Sequence, residues 1–190
     1  MKILAIDTSL GAASACLFDS ASNELQARET VWLERGHDQV QIVRRYDPSL
    51  PEFQADEARL QQVFLNLVRN AMQAMEERPG RLTISTGMTL EHRLVGPDGR
   101  AQPTIRIRVQ DEGPGIPEEV LRRLSTPFFT TKTKGTGLGL SLSRHWVRRH
   151  GGRLRIESVV GEGTRVDVDL PLHPPSEAPV AATPGQENRS

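Results

Sequence analysis

The chain has 190 residues, enough for one domain with a core of its own and an appendage, and too few for two complete domains of ordinary size. Lys plus Arg equals Asp plus Glu at 24 each, so no global field draws nucleic acid or an anionic membrane, and any anion selectivity has to be local. No apolar run approaches the roughly 18–20 residues of a membrane span, and the opening residues lack a signal peptide's apolar region, so a cytoplasmic protein is expected.

In chain order, KILAID is a compact apolar run, Thr8 to Gly11 form a turn, and SACLF is a second run. This second run holds the single cysteine, Cys16, which cannot close an intrachain disulfide and reads as a small buried apolar residue in a reducing compartment. LQARETVWL follows a Ser-Asn-Glu turn as a third strand, so residues 1–39 predict a meander of short strands.

A second zone, 40–172, alternates strand and helix signals. Gln41 to Tyr46 is a short strand candidate, and YDPSLP is a proline-punctuated turn. From Asp56 to about Glu77, Leu60, Phe64, Leu67, Ala71 and Met75 recur at helical spacing, with Asp56 as N-cap and Pro79-Gly80 as the stop. RLTISTGM predicts a strand and LEHRLVGPDGRAQ a connecting loop built on the GPDG turn. In TIRIRVQD, Ile105, Ile107 and Val109 alternate with Arg106, Arg108 and Gln110, and Asp111 keeps the apolar parity, so its carboxylate is expected to face inward. A second helix is expected from about Leu138 to His150, ended by Gly151-Gly152. RLRIES and TRVDVDL, joined by a GEG turn, close the zone as two strands. The fold class is α+β, a sheet covered by helices on one side as a two-layer sandwich, with an N-terminal β-strand extension. Residues 173–190, rich in Pro, Ala and polar residues without periodicity, predict a disordered tail.

Three constellations carry chemistry. Asn66 and Asn70 stand one helical turn apart beside the apolar stripe. A neutral amide oxygen there suits Mg²⁺ when phosphates and waters fill the remaining octahedral positions; two ordinary flank residues are the plainer reading. Asp111, an inward acid, needs donors, and the exocyclic amine of adenine is one. The EGPGIP that follows lets backbone pass close to a flat base. Gly135-Thr136-Gly137-Leu138-Gly139-Leu140 opens the second helix, where free N–H groups and the helix dipole favour an anion, with Lys132 and Lys134 leading in. There is no GxxxxGK[ST], no strand precedes GTGLGL as a dinucleotide turn requires, and no GxSxG occurs.

The order NLVRNA, DEGPGIP, PFFTTK, GTGLGLSL and GEGT resembles the ATP-binding catalytic domain of sensor histidine kinases, in the gyrase, Hsp90, histidine kinase and MutL (GHKL) superfamily. The likeness covers about 40–172 and is most similar to the nitrogen-regulation, NtrB type. It implies a Bergerat-type ATP-binding fold with ATP and Mg²⁺ as cofactors. By this resemblance Asn70 holds the metal and Asn66 is its N-box partner. Asp111 binds adenine with Gly113 and Gly115, and Pro127 to Lys132, including Thr131, form the F box, where Ser125 replaces the usual phenylalanine. Gly135, Thr136, Gly137, Leu138, Gly139 and Leu140 hold the phosphates, and Thr164 lies near the adenine. Residues 112–134 would be a mobile lid. The superfamily's hydrolytic members carry a glutamate where Asn66 stands, so the implied chemistry is phosphoryl transfer to a histidine, in a two-component phosphorelay, with no catalytic side chain assigned on this chain.

No acceptor hairpin surrounds His37, so the acceptor-histidine domain or response regulator is expected in trans, and the chain alone is expected to be inactive. Residues 1–37, through AIDTS, GAASACLF and RGH, instead resemble the first strands of TsaB, the partner protein in threonylcarbamoyladenosine modification of tRNA. That implies a TsaD-type partner as the alternative function. Two such resemblances meeting near residues 38–41 make the chain read as a chimera: leader 1–39, ATP-binding domain 40–172, tail 173–190.

Overall fold

In a computed structural model of the chain, residues 2–7, 12–19, 24–32, 40–53, 55–76, 78–95, 101–124, 126, 129 and 137–172 are described. The first three strands, β1 (Lys2–Asp7), β2 (Ala12–Asp19) and β3 (Glu24–Trp32), pair antiparallel in the order β1-β2-β3, the meander expected. A second sheet holds β4 (Val40–Arg45), β5 (Gly80–Val95), β6 (Ala101–Asp111), β7 (Arg153–Val159) and β8 (Gly163–Pro171) in the order β4-β5-β6-β8-β7. Only β4 and β5 pair in parallel within it. A parallel pair needs a long crossover, and α1 (Glu57–Ala74) supplies it. Two further helices, α2 (Glu118–Arg123) and α3 (Gly139–Arg149), complete the described elements.

The core follows the sequence periodicities. Ile105, Ile107 and Val109 of β6 and Val168 and Leu170 of β8 are buried beneath Leu60, Phe64, Leu67, Ala71 and Met75. Val63, Leu65, Val68 and Met72 are buried as well, so α1 turns a wider apolar arc inward than a single stripe. Asp56 caps α1 by accepting from Arg59 N–H at 3.1 Å. The far end of α3 is tied to that cap: His150 Nδ1 donates to the Trp146 carbonyl at 2.7 Å, leaving Nε2 to accept the Asp56 N–H at 2.9 Å. The Arg59 guanidinium lies over the Trp146 ring at 4.3 Å, a second tie between the two helices.

Two elements differ from expectation. The segment LEHRLV continues β5 instead of forming a loop, because Leu94 and Val95 pair with Gln102 and Ala101 beyond an irregularity after Thr89. The six-residue α2 buries no side chain, so it left no apolar period to read.

The face of the sheet away from the helices carries its own ordered charges. The register sets Arg106 opposite Asp169 and Arg108 opposite Asp167. Arg106 Nε donates to Asp169 at 2.8 Å, Arg108 grips Asp167 with two bonds of 2.7 and 2.9 Å, and Arg155 reaches Asp169 at 3.0 Å. Asp169 is fully buried and Asp167 nearly so. Burial opposes the Asp167 charge, but the Arg108 hydrogen bonds and the charges of Arg108, Arg106 and Arg165 outweigh it and hold that carboxyl below the usual range.

Candidate nucleotide site

Asp111 ends β6 facing the helices and is 6% exposed. Its Oδ1 accepts the Gly113 N–H at 2.9 Å. Burial raises its pKa, and the Gly113 and Thr164 N–H groups only partly offset that, so the carboxyl sits above its ordinary value. A buried acid short of donors is a receptor for an N–H donor on a ligand. We expect the Asp111 carboxyl carbon to titrate above, and that of Asp167 below, the ordinary aspartate midpoint in a ¹³C NMR pH series of the ligand-free chain. The reverse order would overturn both assignments.

The loop after Asp111 is fixed by close backbone packing. A Cβ on Gly113 would stand 2.7 Å from Asp111 Oδ1 and 3.2 Å from the Ala74 Cβ, so the loop rests on the C-terminal turn of α1. Gly115 has φ +72° and would place a Cβ 2.1 Å from the Val159 carbonyl oxygen. The Pro114 carbonyl accepts from Gly161 N–H at 2.8 Å. Ser158 joins these pieces: its Oγ accepts the Ile116 N–H and donates to the Gly163 carbonyl, both at 2.8 Å. With that proton committed, the 2.9 Å contact with Thr164 Oγ1 is a bond donated by the threonine. Sequence reasoning missed Ser158, since a serine at a strand end before a glycine turn has no distinguishing pattern.

The opposite end of the site is built on α3. Asn66 Nδ2 donates to the Gly139 carbonyl at 2.7 Å and lies 3.3 Å from Ser143 Oγ. Gly137 has φ +67°, and the Leu138 carbonyl accepts from Leu142 N–H at 2.9 Å as the helix begins. The first N–H groups of such a helix have no carbonyl behind them to bond. Asn66, Asn70 and Ala74 follow at four-residue steps along one strip of α1, about 12 Å of helix rise from end to end. Asn66 meets Gly139 at one end and Ala74 meets Gly113 at the other. The half-buried Asn70 lies between them.

The structure therefore brings together Asp111, Gly113, Gly115 and Thr164 at one end of the strip and Asn66, Gly137, Leu138, Gly139 and Leu140 at the other, with Asn70 along it. Thr131, Lys132, Gly135 and Thr136 lie outside the described residues, as does most of the F box. Phe129 is described, with the Arg123 guanidinium 4.4 Å from its ring centre. Among the described residues no cluster of three His, Cys, Asp or Glu is placed to hold a metal. The Asn70 amide oxygen beside a phosphate-bearing ligand fits Mg²⁺, which keeps several waters and takes few protein ligands. An open depression of about 200 Å³ at the ends of β6, β8 and β7 shares Asp111, Ser158 and Thr164 with this site and is lined by neither asparagine. No helix among the described residues is long and apolar enough to cross a membrane.

Residues 55–174 match the profile of the histidine kinase-, DNA gyrase B- and HSP90-like ATPases. The sensory histidine kinase/phosphatase NtrB of Salmonella typhimurium is 40% identical over 135 residues, 71% of this chain and 38% of that protein. Sporulation kinase C of Bacillus subtilis is 41% identical over 117 residues, 62% of this chain and 24% of the kinase. The chain thus spans well under half the length of these relatives. Among solved structures, the catalytic domain of histidine kinase ThkA in a nucleotide-free form superposes with a TM-score of 0.58 at 33% identity, covering 72% of this chain and 81% of that one. Full-length ShkA in complex with AMPPNP gives 0.58 at 26% identity, covering 77% and 28%. The chain belongs to the histidine kinase-, DNA gyrase B- and HSP90-like ATPases and carries an NtrB-like sensor histidine kinase ATP-binding domain.

Proposed function

We propose that residues 40–172 bind Mg-ATP for transfer of its γ-phosphoryl group to a histidine supplied by another domain or chain, with residues 1–39 as a TsaB-like leader. One observation carries this reading: a single strip of α1 meets the loop after Asp111 at Ala74 and the glycine-opened start of α3 at Asn66, so the two loops that would receive a base and its phosphates lie along one helix face. Asp111 accepts from the exocyclic amine of adenine, and Gly113 and Gly115 let the loop pack closely enough against Ala74 and Val159 to hold that acid in place. Asn70 holds Mg²⁺ by its amide oxygen, and the first N–H groups of α3 with Gly137 and Gly139 face phosphate. Thr131, Lys132, Gly135 and Thr136 complete the phosphate end in this reading, and Thr164 supports Asp111. Bound Mg-ATP supplies the transferable phosphoryl group. Asn66, an amide, takes no proton at neutral pH, so water is not activated there, and positioning with charge neutralisation carries the reaction.

Isothermal titration of the full chain with Mg-ATP tests the binding step. Asp111→Asn, which turns an acceptor oxygen into a donor facing the adenine amine, is expected to weaken binding about 30-fold, or about 2 kcal/mol. A wild-type chain without binding, or an unchanged affinity in the variant, would sink the proposal. In the same samples, γ-labelled ATP with an isolated acceptor hairpin of an NtrB-type kinase is expected to label the hairpin histidine. Binding without label would leave an ATP-responsive module and remove the transferase reading.

A further inference from the structure

Gly139 is the first residue of α3, a position where alanine is ordinarily the better helix former. Its glycine therefore needs a local reason. Phosphate approach is the obvious one, but the atoms that a Cβ at Gly139 would meet first all belong to Asn66: Nδ2 at 2.8 Å, Oδ1 at 2.9 Å and Cγ at 3.1 Å. The same Nδ2 donates to the Gly139 carbonyl at 2.7 Å, and Ser143 Oγ, itself 1% exposed, donates to that carbonyl at 2.9 Å. Besides the helix's own Ser143 N–H, that carbonyl thus takes two side-chain donors. It is pinned from α1 by the amide and from the next turn of α3 by the hydroxyl.

We infer that Asn66 is a positioning residue, a latch holding the first turn of α3 at a fixed distance from α1, and that Gly139 is glycine to admit the Asn66 amide. The latch acts through Gly139: α3 begins where its leading N–H groups must face phosphate, while Asn70, one turn along the same strip, faces the metal. Asn66 sets the spacing between those two groups. The arrangement also accounts for an asparagine at this position on the strip, since Ala or Leu would provide no donor and Asp would set an acceptor against the Gly139 carbonyl.

The inference rests on the nucleotide reading for its ligand, and the test separates the two. Mg-ATP and adenosine affinities are measured for the full chain carrying Asn66→Ala, Gly139→Ala and both, alongside urea unfolding without ligand. Asn66→Ala is expected to weaken Mg-ATP about tenfold and to leave adenosine, which engages only the Asp111 end, within about twofold. An unfolded fraction in any sample lowers both affinities alike, so their ratio still reads the latch. Gly139→Ala is expected to cost at least as much as Asn66→Ala, because the new methyl displaces the amide.

The double variant is expected to be no worse than Asn66→Ala, since the methyl fits the space that the amide vacated. Losses that multiply would show that the glycine serves phosphate and overturn the latch. An equal loss of adenosine affinity in Asn66→Ala would show a general structural role and overturn it too. Should the unmutated chain fail to bind Mg-ATP, the nucleotide reading falls and urea unfolding decides the latch alone: stability regained in the double variant relative to Gly139→Ala supports it, and additive losses overturn it.

Discussion

Gly115→Ala is expected to destabilise the ATP-binding unit by more than about 3 kcal/mol and to abolish nucleotide binding. Two separate penalties combine there. At φ +72° a Cβ costs about 1–2 kcal/mol from its own backbone. The atom would also lie 2.1 Å from the Val159 carbonyl oxygen and 2.9 Å from Val160 Cα, which are main-chain atoms with no rotamer to change. The loop has to lift from the β7–β8 turn, breaking the bond from Gly161 N–H to Pro114 and that from Ile116 N–H to Ser158. Asp111 then loses the turn that presents it. Gly161→Ala is the control: φ is +87°, yet nothing lies within 4 Å of its added Cβ. It should cost only the backbone penalty, a fall of roughly 2–4 °C in Tm per kcal/mol for a chain of this size. Thermal melts of the two variants check this, and equal losses would show that the contact with β7 is not what fixes the loop.

Asp169→Ala is expected to cost about 3 kcal/mol or more, the largest effect of any charge removal on the sheet's outer face. The carboxylate is fully buried and bonds both Arg106 and Arg155, whose side chains are 12% and 22% exposed. Deletion takes the near carboxylate from two poorly solvated guanidinium groups, with Asp167 3.9 Å from each. Removing a cation as well should return part of the loss, so Arg106→Met in the Asp169→Ala background is expected to be more stable than Asp169→Ala alone. Urea unfolding measures both. A change within about 0.5 kcal/mol for Asp169→Ala would mean that water screens the ladder despite its burial. Asp167 gives the network an acid limit. Its folded pKa lies below the unfolded value of 3.8, so its contribution is present above that pH and is lost as pH falls through the lower folded value.

The periodic residues determined much of this protein by themselves. Apolar positions in α1 and the alternation in β6 and β8 named the core, and the parity of Asp111 predicted its burial, because side-chain direction follows from helix and strand geometry alone. Order and spacing of the glycine loops and asparagines marked both ends of the candidate nucleotide site, since such loops need particular residue types locally. Tertiary structure decided what depends on a partner from far along the chain. The extension of β5 through Val95 comes from pairing with Ala101 and Gln102. Ser158 became a site residue only when β7 carried it beneath Ile116. In the sequence the arginines of β6 only alternate with the apolar set, and the register alone placed Asp167 and Asp169 opposite them. Asn66, expected at the ligand, donates to a carbonyl 73 residues away. A hydrogen bond of that range depends on where two helices come to rest, and no local pattern encodes that distance.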